Sequence, residues 1–98
     1  MDNNKKLNDI VTLILQELGR AQDKFPTWPT DPIHALNVIS EEYGELSKDV
    51  LQRVYEPEKT NKENLKTEAI QLAAMTLRFI LSIEKYNFKK GKQHKQSK

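Results

Sequence analysis

Apolar residues recur along the start of the chain at Leu7, Ile10, Val11, Ile14, Leu18 and Ala21, the spacing of a helix with one greasy face. The pattern predicts an amphipathic helix of about four turns. It cannot pass through Phe25-Pro26-Thr27-Trp28-Pro29, because each proline lacks a donor and biases its predecessor toward extended geometry. A second helix is predicted from Asp31-Pro32, where the aspartate suits the N-cap and the proline the first turn. It runs to about Tyr55, ahead of Pro57. A third begins near Thr60, whose distance to Glu63 is that of a capping box, and runs to about Tyr86. No stretch alternates as a strand would. The fold class is therefore all-α, with three main helices.

The third helix differs in kind from the others. From Leu65 to Ile83, Ala69, Ile70, Leu72, Ala73, Ala74, Met75, Leu77, Phe79, Ile80 and Leu81 occupy nearly its whole circumference. A helix that is apolar all round is expected to be covered all round. Two neighbours cannot do that, so a second copy of the chain is expected to complete the bundle. The second helix has the opposite character. On a wheel of about 100° per residue, Ile39, Tyr43, Leu46, Val50 and Val54 gather within about 80° as the expected core stripe. Glu42, Glu45, Asp49 and Arg53 flank that stripe, and Glu41 lies further toward solvent.

Glu42 and Glu45, three apart, can aim both carboxylates at one spot. On the third helix Glu68 and Gln71 repeat that spacing, with Met75 and Arg78 continuing the line. A buried carboxylate without a partner is costly, so Glu68 needs Arg78, Lys66 or a cation shared with Glu42 and Glu45. Two helices facing each other with such pairs form an oxygen-donor set for Mg²⁺ or Mn²⁺. The plainer alternative is a solvated face in which Glu45 pairs with Lys48 and Asp49 with Arg53. Glu68 and Gln71, placed on a greasy helix, tip the balance toward a site.

Composition narrows the partners. The 98 residues make one small domain and include no cysteine, which excludes disulfides, thiolate metal sites and a thiol nucleophile. No apolar run reaches membrane-spanning length and the first residues are polar, so the cytoplasm is the expected location. The net charge of +2 hides an asymmetry: residues 85–98 carry six lysines and no acid, leaving the rest at −4. Residues 1–86 are read as the folded domain and 87–98 as a Lys-rich flexible tail. The acidic body argues against nucleic acid as a partner. His34 and His94 are too far apart in sequence to suggest a zinc site.

Glu41-Glu42-Tyr43-Gly44-Glu45 followed by Glu68-Ala69-Ile70-Gln71 resembles the paired motifs E-E-x-x-E and E-x-x-D of the MazG-type all-α nucleoside triphosphate pyrophosphohydrolases. The proline-rich loop and the greasy third helix extend the resemblance over about residues 20–83. It implies a MazG-like helical bundle, dimeric or tetrameric. It also implies Mg²⁺-dependent cleavage of a (deoxy)nucleoside triphosphate between the α and β phosphates. By position, Glu42, Glu45 and Glu68 would be metal ligands, with Gln71 where the family has aspartate. Glu41 would support the metal from outside its ligand set or hold a second metal, orient the attacking water and, with Glu42, make up the catalytic pair.

Trp28, Lys48, Arg53 and Arg78 are the candidate substrate-binding residues. Trp28, held between prolines, can stack on a base; alternatively Phe25 and Trp28 plug the bundle end. Arg53 and Arg78 lie along the acidic lines and can reach phosphate or serve as counter-ions, whereas Lys48 would approach from a more solvent-facing angle. Gln71 is neutral where the family motif is charged, which leaves a second function open: a non-catalytic nucleotide- or protein-binding oligomer.

Overall fold

The computed structural model describes residues 2–88. Three α-helices account for most of them: α1, Asp2–Lys24; α2, Pro32–Tyr55; and α3, Lys62–Leu81. No strand occurs among the described residues. The helix α3 lies between the other two and packs against both, while α1 and α2 do not meet along their lengths. No helix among the described residues is long and apolar enough to cross a membrane. The tail expected over 87–98 falls outside the described residues from position 89 onward.

Local chemistry explains most of the boundaries. Asp31 caps α2, its side chain accepting from the Ile33 N–H at 2.9 Å, and Pro32 opens the first turn. Pro57 begins a short 3₁₀ turn, Pro57–Lys59, and ends α2 where expected. The other two boundaries of interest differ from expectation. The cap of α3 is Asn61, not Thr60: the Asn61 backbone is extended and its Oδ1 accepts from the Asn64 N–H at 2.8 Å. Thr60 instead accepts from the Asn64 side chain at 3.3 Å.

At its other end α3 stops at Leu81 rather than Tyr86. The Ser82 N–H reaches the carbonyls of Arg78 and Phe79, a second 3₁₀ turn spans Ile83–Lys85, and Tyr86 is extended. That reversal sends the chain back toward the α1–α2 loop, where the Asn87 N–H donates to the Thr30 carbonyl at 3.1 Å. The first helix is longer than predicted, beginning at Asp2.

The core is small. Ala21, Ala74 and Met75 are buried, with Ile14, Leu18, Trp28, Val38 and Ile39 packed against them. The expected core stripe of α2 is split by the fold: Ile39 and Leu46 are half-buried, but Tyr43, Val50 and Val54 are exposed. The physical reason is that α2 turns the adjacent face to α3. Ala35 is fully covered, and Glu42, seven residues on and on the same side, is half-buried with it. Nor does one chain enclose α3, since Ile80 and Leu81 remain exposed. The radius of gyration is 16.8 Å, against about 12 Å for a compact domain of this length.

Candidate functional site

The face that α2 presents to α3 carries acids beside its apolar contacts Ala35, Val38 and Ile39. Glu42 and Asp49 are half-buried on α2, Glu68 and Gln71 are half-buried on α3, and Glu41 and Glu45 are exposed. Partial burial pushes the Glu42 carboxyl above its usual range, with further upward pressure from Glu45, Glu17 and Glu41. Glu68 is raised in the same way, first by burial and then by Asp49, Glu45 and Glu42 across the helix pair. Like charges therefore feel one another over the α2–α3 seam.

The neutralising pairs offered by the plainer alternative do not form. Ion pairs among the described residues are Lys5–Asp9, Glu17–Arg20 and Glu56–Lys59. Glu45 is not paired with Lys48, nor Asp49 with Arg53, nor Glu68 with Lys66 or Arg78. Arg53 is half-buried and its Nε has no hydrogen-bond partner.

A cleft of about 790 Å³ opens beside this seam, lined by α1, the proline-rich loop, α2 and α3. Glu41, Glu42 and Gln71 border it, and so do Trp28, His34 and Arg78. Arg78, only 6 % exposed, has no carboxylate partner. Its Nη2 donates to the Phe25 carbonyl at 2.9 Å and to that of Thr27 at 3.5 Å. Its guanidinium stands 4.8 Å over the Trp28 ring. Burial lowers its pKa, yet an arginine remains charged at neutral pH. The cleft thus has acids on one flank and a fixed cation stacked on an indole on the other.

Of the sequence-predicted residues, the fold gathers Glu41, Glu42, Gln71, Trp28 and Arg78 around the cleft, with Glu45, Asp49 and Glu68 continuing along the seam. Lys48 is separated from them and lines a shallow groove with Tyr43, Leu51 and Tyr55. Trp28 borders the cleft and also packs on the core. Glu17 and Arg20 on α1 also border the cleft and were not anticipated. Their ordinary i, i+3 pairing gave no sign of which face α1 would turn inward. No family model matches this chain, and no curated protein or solved structure matches it either.

The donor chemistry suits a hard divalent cation, since carboxylates and an amide supply oxygen alone. The geometry is open: among the described residues no group of three or more His, Asp or Glu side chains stands in place to hold an ion. What exists is a set of acids held near enough to repel.

Burial of these carboxyls, with that repulsion added to it, has a measurable pH dependence. Both glutamates bind a proton more tightly in the fold than in the unfolded chain, where the ordinary value is 4.5. Their penalty is absent below that value and grows as pH rises through the raised folded values. In metal-free buffer Glu42→Gln is therefore expected to melt higher than the parent by about 1–4 °C near pH 7, an effect scaled to a partly screened pair. The gap should close near pH 4.5. Thermal melts of both proteins across this range check it, and a gap that does not change with pH would remove the coupling.

Proposed function

We propose that this chain is a metal-dependent nucleotide pyrophosphohydrolase acting as a homo-oligomer. The observation that carries the proposal is the run of un-neutralised carboxylates, Glu42, Glu45, Asp49 and Glu68, along one seam beside a cleft walled by Trp28 and Arg78. Glu42, Glu45 and Glu68 are the residues to hold Mg²⁺, or Mn²⁺, with the Gln71 amide oxygen as a weaker neutral donor. To do so they would have to move, because among the described residues the acids are not gathered around one point. The bound ion would supply charge neutralisation across the phosphate oxygens and favour ionisation of a nearby water.

The chain's own residues carry the remaining roles. Glu41, on the exposed rim of the cleft, orients the attacking water and accepts its proton. The water oxygen bonds to the α phosphorus, the link from that phosphorus to the bridging oxygen breaks, and pyrophosphate leaves with the bridging oxygen. Arg78 offers fixed positive charge toward the phosphates, and the Trp28 ring offers an apolar plane for a base. Arg53, with a buried donor lacking a partner, is a second cation at the far end of the acidic line. Lys48 lies on another face and is left without a role in the cleft.

Oligomerisation is supported by the exposed apolar side chains of α2 and α3 and by the extended dimensions of the single chain. Two observations favour a second function, that of a non-catalytic nucleotide- or protein-binding oligomer: the neutral Gln71 and the open arrangement of the acids.

The deciding experiment is pyrophosphate release from a panel of ribo- and deoxynucleoside triphosphates with Mg²⁺, Mn²⁺ or EDTA. Metal-dependent release from some of the panel is expected. Binding of a nucleotide with no release under any metal would transfer the assignment to the second function.

A further inference from the structure

The chain downstream of α3 folds back onto the loop that borders the cleft, and Tyr86 is the residue it delivers. The Tyr86 side chain is buried at 7 % exposure. Its ring packs against Phe79 at 5.0 Å between centroids and edge-on to Phe88 at 6.1 Å. Its hydroxyl accepts from the Trp28 Nε1–H at 2.7 Å and donates toward the Phe79 carbonyl at 3.4 Å. Trp28 in turn carries the Arg78 guanidinium on its ring, and Arg78 holds the carbonyls of Phe25 and Thr27.

We infer that Tyr86 is a positioning residue for the cleft: its hydroxyl fixes the indole of Trp28, and through it the guanidinium of Arg78, in the pose that receives a nucleotide. The nucleotide in that statement rests on the proposed function; the positioning does not. The hydroxyl and the ring have separable effects. The ring buries apolar area against Phe79 and Phe88, which any aromatic residue would do. The hydroxyl alone gives the indole N–H an acceptor and so selects one orientation of a ring flanked by two prolines. Without that acceptor the indole N–H has to seek water, and the ring face that stacks on Arg78 turns with it.

Trp28 is the single tryptophan of the chain, so its emission and its indole N–H report on this one side chain. In the unmodified protein the indole N–H should exchange with solvent at least about tenfold slower than a free indole, as a bonded, part-buried donor does. This arm needs no variant. Tyr86→Phe keeps the ring and is expected to retain the helical circular dichroism. Acrylamide quenching of Trp28 should rise in it about twofold or more. The affinity for an α,β-imido nucleoside triphosphate, titrated with Mg²⁺, should fall about 2–12-fold, the factor that one net hydrogen bond provides.

An unprotected indole N–H in the unmodified protein would overturn the inference, as would quenching unchanged by Tyr86→Phe. If protection and the quenching change are both found but the analogue binds neither protein, the positioning stands and the proposed function fails.

Discussion

Glu42→Gln and Glu68→Gln are each expected to lower metal-dependent pyrophosphate release by about 10²-fold or more, the scale set by losing a residue that supports a metal or a developing charge. The same substitutions are expected to make the metal-free protein slightly more heat-stable. The two effects have one origin. Each carboxylate is raised by burial and by its acidic neighbours, so neutralising it relieves the fold while weakening the charge that would hold a cation. Addition of about 10 mM Mg²⁺ to the parent should raise its melting point by about 5 °C or more if the ion binds near 1 mM. That rise should shrink in either variant. A variant inactive because it is misfolded would lose stability along with activity, so the opposite movement of the two readings is diagnostic. Activity undiminished by both substitutions would remove these residues from the site. Gln71→Asp should move the metal response the other way, since it adds a charge to a seam already short of cations.

The helices were legible because their signals are local. Asp31-Pro32 states where α2 begins and Pro57 where it ends, and both act through the backbone of a few neighbouring residues. The cap of α3 shifted by one residue because Thr60 and Asn61 are both capable caps in extended backbone, and only Asn61 reaches the Asn64 N–H. The early end of α3 was not legible at all. Tyr86 continues a helical apolar pattern, but its hydroxyl is used by Trp28, 58 residues away in sequence.

The inward face of α2 departs from the wheel for a related reason. A wheel reports where apolar side chains are, not which of two neighbouring faces meets the same chain. Ile39, Tyr43, Leu46, Val50 and Val54 form the greasier stripe, yet the fold keeps only Ile39 and Leu46 of it half-buried and turns Ala35, Glu42 and Asp49 inward beside them. The candidate site was legible as a set of acids on two helices. Its second wall was only half legible: Arg78 was anticipated as a cation, but its stacking on Trp28 and its hold on the loop carbonyls depend on tertiary placement.

The protein in solution is expected to be a dimer or larger, and Val54→Asp to break it down to single chains with a marked loss of stability. Ile33, Leu36, Tyr43, Val50, Leu51 and Val54 occupy about 100° of α2 on the side away from the acids. Each is exposed in the single chain, Val54 at 63 %. If that face is solvated, a carboxylate at position 54 costs almost nothing, within about 0.5 kcal/mol as at an ordinary surface position. If it is covered by a second copy, a two-fold interface receives the unpaired charge twice, at about 2–5 kcal/mol for each burial. Sedimentation and thermal melts of parent and variant separate these cases. A monomeric parent, or a variant indistinguishable from it, would leave the apolar face unexplained by self-association. The activity of the dissociated variant carries further information, because Glu42, Glu45, Asp49 and Glu68 already lie along a seam within one chain, on the face that α2 turns to α3. Retained hydrolysis by single chains would mean that the dimer supplies stability alone, whereas hydrolysis lost with dissociation would mean that the open arrangement of acids closes only when a second copy holds the two helices.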